Sequence, residues 1–202
     1  MRPVDAAADR FFRAYHAHCT APGEDTLFNL LNALHSFHDK FQKATGRDLY
    51  GSVNFQALKA LRNLFQHEDE LASRIKVIPI DNLPLMSDLM VLCLTDRQTV
   101  LDAVDRDLNN RKRQGLGRDD ILGAFKWYGA IANINPSIFN CAAEVFEAVR
   151  RAGIAASSPE VREFEASYKF EEEHGYSHRV TGDIRCRAVD VNEVVRQLFG
   201  RE

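Results

Sequence analysis

The 202-residue chain lacks most of the features that would staple, anchor or relocate a protein. Its four cysteines, Cys19, Cys93, Cys141 and Cys186, are scattered and form no C-x-x-C pair. That argues against a zinc ribbon and a disulfide framework, and leaves reduced, mostly buried thiols as the expectation. No apolar run is long enough to span a bilayer, and the opening Met1-Arg2-Pro3-Val4-Asp5 carries no apolar signal core. No membrane association is therefore expected, and a cytoplasmic location is. Positive charge is not in excess either: 26 Lys and Arg stand against 29 Asp and Glu, for a net charge of -3. Without a global field to draw the chain onto nucleic acid, any such contact has to come from a local patch. There is no G-x-x-x-x-G-K-[ST] P-loop, no G-x-S-x-G elbow, no internal repeat and no low-complexity tract.

What is present reads as an ordinary globular chain, 45% hydrophobic and 27% charged, sized for one domain or for one domain with an appendage. Arginine greatly outnumbers lysine. This suits bidentate phosphate contacts, and it is also the usage of a GC-rich genome.

Helical periodicity dominates. A first helix is predicted over Ala6 to Thr20, carrying Phe11, Phe12 and Tyr15 and stopped by Pro22-Gly23. A second should start near Glu24 or Asp25, with Leu27, Phe28, Leu31, Leu34, His35, His38 and Phe41 as its stripe, Phe37 off it, and Gly46 as its C′ stop. A third, begun at Ser52 or Asn54, places Ala57, Leu58, Leu61, Leu64, Phe65, Leu71 and Ile75 on one face. The pattern then changes. Ile75–Ile80 reads as a short strand, made an edge by Pro79, and Leu89–Leu94 as a buried strand or helix that periodicity does not decide. Asp96 is a credible N-cap for a helix carrying Val100, Leu101, Val104 and Leu108.

Further helices are predicted from Asp119 to Ala132, from Ser137 to Arg151 after a turn at Asn133–Pro136, over an acidic stretch Glu160 to Glu173, and from Val191 to Phe199. A strand-like piece covers Arg179 to Val189, and Ala155–Pro159 is the best linker. The expected fold is mainly α, a helical bundle with minor short β segments, divided into a helical domain over 1–155 and an appendage over 156–202.

The third helix carries the most informative cluster, Leu61-Arg62-Asn63-Leu64-Phe65-Gln66-His67. At about 100° per residue, Asn63 and His67 lie one above the other, away from the apolar stripe, with Arg62 on the flank. An imidazole can give or take a proton near neutral pH, a guanidinium can stabilise the charge of a pentacoordinate phosphate, and an amide can orient either. RNA brings its own nucleophile, the 2′-hydroxyl, so this chemistry requires no metal and no cofactor. Glu68 and Asp69 follow and would hold or orient the basic groups.

This string resembles the R-N-x-x-x-H form of the HEPN motif, from a superfamily of small helical domains found in toxin, antiphage and RNA-processing ribonucleases. The resemblance implies a helical bundle, a metal-independent endoribonuclease leaving 2′,3′-cyclic phosphates, and a composite active site formed across a homodimer. It implies Arg62 and His67 as catalytic and Asn63 as assisting, with an antitoxin or other regulatory partner. Residue 69 is Asp where some members carry a modifiable tyrosine, so that mode of control is not implied.

Other segments invite weaker readings. The basic loop Arg111-Lys112-Arg113 to Arg118, with two glycines, would grip RNA phosphates or serve as a solvated loop. Arg179, Arg185 and Arg187 form a second basic candidate. His16, His18 and Cys19, and the pair His35 and His38, invite a metal, but three or four converging ligands are not apparent; His35 or His38 would instead face the Arg62 site. Trp127-Tyr128 reads as helical core, and Tyr176-Ser177-His178 has no triad partners. The alternative function is a non-catalytic helical module for dimerisation or partner binding.

Overall fold

The computed structural model describes residues 2–67, 75–81, 83–110 and 115–199, with His67, Val195, Leu198 and Phe199 described by backbone alone. It is mainly α with short antiparallel strands. Helix α1 (Pro3–Thr20) starts where the Asp5 carboxylate accepts the Arg2 backbone N–H at 2.9 Å. It packs along α2 (Glu24–Thr45), which ends at Gly46 with φ of 71°. That left-handed stop is the one expected of Thr45-Gly46.

Helix α3 (Val53–His67) is begun by Ser52, whose Oγ accepts the Phe55 N–H at 2.9 Å. It is the hub of the helical layer, touching α2, then α4 (Arg97–Asn109), α5 (Arg118–Leu122) and α6 (Asn135–Arg151). Ala57, Leu58, Leu61 and Leu64 of its predicted stripe are all buried, and Phe65 packs against the same core. Each fully buried Leu or Phe contributes about 1.5–3 kcal/mol through apolar area removed from water.

The α2 stripe needs one correction. Phe37 is fully buried, against Phe11 and Phe41, while Phe28 is 44% exposed. Helix α2 is covered on two sides, by α1 and by α3, so its buried arc is wider than a single stripe and is rotated toward Phe37.

The sheet has the strand order β1-β3-β5-β4, all antiparallel, with β1 (Lys76–Pro79), β3 (Val91–Asp96), β4 (Lys126–Tyr128) and β5 (Ile131–Asn133). Strand β1 is an edge, as Pro79 required. Strand β3 resolves the ambiguous apolar run. Its Val91 and Cys93 join the helical core, while Leu92 and Leu94 join a second cluster with Ile80 and Val194 of α8 (Val191–Phe199). Both faces being covered, the strand shows no polar alternation in sequence.

The long helix expected from Asp119 to Ala132 is not formed. Only α5 is helical, and Lys126–Asn133 is a hairpin whose turn holds Gly129 at φ of 62°. Trp127 and Tyr128 are thus strand residues, and Asn135-Pro136 opens α6 rather than closing a turn. The expected strand over Arg179 to Val189 reduces to β6 (Ile184–Arg185), paired with β2 (Met86–Ser87). Asp96 caps α4, accepting the Thr99 N–H at 2.9 Å. The cysteines are all free, two buried (Cys93, Cys141) and two exposed (Cys19, Cys186).

The segment at Ala155–Pro159 is extended but tethered. Asp9 Oδ1 accepts the N–H groups of Ser157 and Ser158, each at 2.8 Å, and Asp5 Oδ1 accepts that of Ala155 at 3.1 Å. Helix α7 (Pro159–His174) then lies on α1, with Phe164 packed on Phe12 and Phe146. Among the described residues, no helix is long and apolar enough to cross a membrane.

Candidate functional site

Along one side of α3, Lys59, Arg62, Asn63 and Gln66 form a polar surface that two neighbouring helices partly cover. Toward α2, Arg62 Nε donates to Asn32 Oδ1 at 3.2 Å, and Gln66 Nε2 reaches the same oxygen at 3.4 Å. Toward α4, Asn63 Nδ2 donates to Asp107 Oδ1 at 2.9 Å, and Lys59 Nζ meets that oxygen at 2.5 Å. The two directions are joined where Arg62 Nη1 donates to Asn63 Oδ1 at 3.3 Å.

The partners differ in kind. Asp107 is 5% exposed, and its charge is met by the Lys59 ammonium. Arg62, half-buried, has two neutral amide oxygens as hydrogen-bond acceptors and, among the described residues, no carboxylate within ion-pair distance. Burial works against its charge, and Asp39 on α2 works for it from farther away. A guanidinium carries five N–H donors, of which the described residues engage two.

His35 lies on the same side of α2. Its Nε2 is 3.8 Å from Asp39 Oδ2, and its buried Nδ1 has no hydrogen-bond partner among the described residues. Burial first, and Arg62 second, lower its proton affinity, favouring the neutral ring near pH 7. His38 faces elsewhere: it is buried, with its ring centroid 4.5 Å from Phe55 and 4.9 Å from Tyr50.

Of the residues singled out in sequence, Arg62 and Asn63 come together. Asn63 turns toward α4 instead of open solvent, because α4 covers that flank of α3. The His67 side chain, Glu68 and Asp69 lie outside the described residues, as do Arg111, Lys112 and Arg113. Arg118 is described. It makes a two-toothed pair with Asp105, Nε to Oδ1 at 2.6 Å and Nη2 to Oδ2 at 3.0 Å. Of the second basic candidate, Arg179 donates to Glu147 at 2.9 Å and Arg187 to Asp190 at 2.6 Å.

Asn32, Asp39, Lys59 and Asp107 complete the cluster and come from three helices. No spacing in one segment announces them. The suggested metal pairs part company. His16 meets Glu163 at 3.2 Å, whereas His18 is buried between Thr26 and Cys93. Among the described residues, no group of three His, Cys, Asp or Glu side chains is placed to hold a metal ion. No family model, curated protein or solved structure matches the chain.

Proposed function

We propose that the chain is a metal-independent endoribonuclease of HEPN type, acting as a homodimer in a toxin-like or antiphage setting, with Arg62 and His67 as its catalytic pair. The observation that carries this reading is the half-buried Arg62 guanidinium, oriented by Asn32 and Asn63 and, among the described residues, paired with no carboxylate. An arginine fixed by neutral acceptors keeps its charge available for a phosphodiester. In this reading the 2′-oxygen attacks phosphorus as His67, or a second His67 across the dimer, takes its proton. The P–O5′ bond breaks, the 5′-oxygen takes the proton from the imidazolium so formed, and a 2′,3′-cyclic phosphate forms. Arg62 stabilises the negative charge that grows on the phosphoryl oxygens. The basic segment with Arg111, Lys112 and Arg113 is the docking patch we assign to the RNA backbone, to which Arg118 adds its charge by exchanging its Asp105 partner for phosphate.

The test is RNA cleavage in EDTA by wild type, Arg62→Ala, Arg62→Lys and His67→Ala, with folding checked by circular dichroism. Loss of one phosphate-stabilising donor group is expected to slow cleavage by about 10²–10³-fold in Arg62→Ala, with lysine restoring only part. Equal cleavage by all four proteins would end the proposal, as would no cleavage by wild type.

The Asn63–Asp107 bond favours one other reading, in which this polar face serves helix packing and a partner surface without chemistry. It is distinguished by a His67→Ala protein that sediments at lower mass than wild type while neither cleaves RNA.

A further inference from the structure

A cavity of 260 Å³ lies between α1 and α7, distinct from the polar face of α3. Its walls are aromatic: Phe12 and Tyr15 from α1, Phe139 from α6, Phe164 and Tyr168 from α7. Apolar walls with a few placed polar groups are the usual make-up of a small-molecule site, and this volume admits one ring with a short side chain.

Carboxylates and imidazoles stand among the apolar walls. Glu160, Glu163 and Glu171 line the cavity, and among the described residues no lysine or arginine does. Glu163 faces His16 at 3.2 Å, and Glu171 Oε2 accepts from His178 Nδ1 at 2.7 Å. An ionised carboxylate only accepts, so His178 Nδ1 carries a proton. The His178 ring is fixed further by stacking on Tyr168, centroids 3.6 Å apart at 12°. Glu160 Oε2 is sealed from solvent and has no hydrogen-bond partner among the described residues. Tyr15 is held in its neutral form, chiefly by burial and then by Cys19. Aromatic walls and three carboxylates complement a ligand with an apolar ring and a cationic N–H head.

We propose that this cavity is a binding site for a small organic cation, an amine on an aromatic body. The ring lies among Phe12, Phe164 and Tyr168, and the ammonium is held by Glu163 and Glu171. The site is independent of the nuclease reading: it lies on another face, and its ligand is opposite in charge to RNA.

Three probes of one shape and three charges test it on the full-length protein by calorimetry: phenethylamine, 2-phenylethanol and phenylacetate. Phenethylamine is expected to bind about tenfold or more tighter than the alcohol, the equivalent of one well-placed ionic contact, with phenylacetate weakest. Glu163→Gln with Glu171→Gln should bring the amine down to the alcohol's affinity and leave the alcohol unchanged. Ser167→Trp, an exposed lining position on α7, should block both by filling the mouth. Equal affinity for the three probes, no binding by any, or amine binding untouched by Ser167→Trp would overturn the assignment.

Discussion

The side chains along α3 show how the company a charge keeps determines what it can do. Lys59 and Arg62 are three residues apart, yet one meets a buried carboxylate and the other two amides. Asp107 therefore belongs to the architecture, while Arg62, among the described residues, meets only neutral acceptors. Asp107→Ala is expected to destabilise the protein by about 3 kcal/mol, because it strands a largely buried ammonium and the Asn63 amide together. The double change Lys59→Met with Asp107→Leu should recover most of that loss, since apolar replacement of a buried pair is close to neutral. Urea unfolding of the three proteins checks both statements. A single Asp107→Ala variant as stable as wild type would show that the carboxylate does not organise the α3–α4 contact.

At the scale of elements, two glycines with similar backbone angles should respond differently to a methyl group. Gly129, at φ of 62° in the β4–β5 turn, has open space around its missing Cβ; Gly182, at φ of 70°, has the Pro136 ring there. Gly129→Ala should cost only the conformational penalty, about 1–2 kcal/mol. Gly182→Ala adds a clash that lifts the 181–183 segment from its Asp88 anchor, where the carboxylate accepts the Thr181 and Gly182 N–H groups at 2.7 and 3.0 Å. Thermal unfolding should rank wild type, Gly129→Ala, Gly182→Ala in falling order.

The same hairpin marks the limit of what could be read from the sequence. Helices α2, α3, α4 and α8 were legible because each has a cap or a stripe within one window: Ser52 before α3, Asp96 before α4, Gly46 after α2. Strands of three residues are too short for alternation to appear, so the sequence of Lys126–Ala132 reads as helix. Phe37 was missed because α2 is buried on two sides. The candidate site divides in the same way. Arg62 and Asn63 stand next to each other in the chain, whereas Asn32 and Asp107 reach them by packing across 30 and 44 residues of sequence, and the α1–α7 cavity is assembled from segments as distant.

At the scale of the whole molecule, His18 ties the helical layer to the sheet, and this junction should make stability depend on pH. From α1, its Nδ1 lies 3.1 Å from Thr26 Oγ1 on α2, and its Nε2 lies 3.5 Å from Cys93 Sγ on β3. The Thr26 hydroxyl donates to the Gly23 carbonyl, so the ring's own proton sits on Nδ1 and is accepted by Thr26 Oγ1, while burial keeps the Cys93 thiol protonated with His18 Nε2 at 3.5 Å and Asn135 Oδ1 at 3.9 Å as its acceptors. Both ring nitrogens are satisfied in the neutral form, and a second proton would point an N–H at the thiol. Burial accordingly lowers the imidazole's pKa from 6.5 to about 4. The folded state thus resists a proton that the unfolded state takes up near pH 6.5. Above that pH neither state is protonated and the group gives no slope. Between about 6.5 and 4 the unfolded chain holds more protons, so stability falls as pH falls, by up to about 3 kcal/mol in total. His35 and His38, also shifted down by burial, act in the same direction, so the His18 share has to be isolated by difference. His18→Gln should be less stable than wild type at pH 8 and should lose less on acidification to pH 4.5, the two urea-unfolding profiles converging. Parallel profiles would mean that His18 takes up its proton in the folded state as readily as in the unfolded chain, and that the helix–sheet junction opens to water in solution.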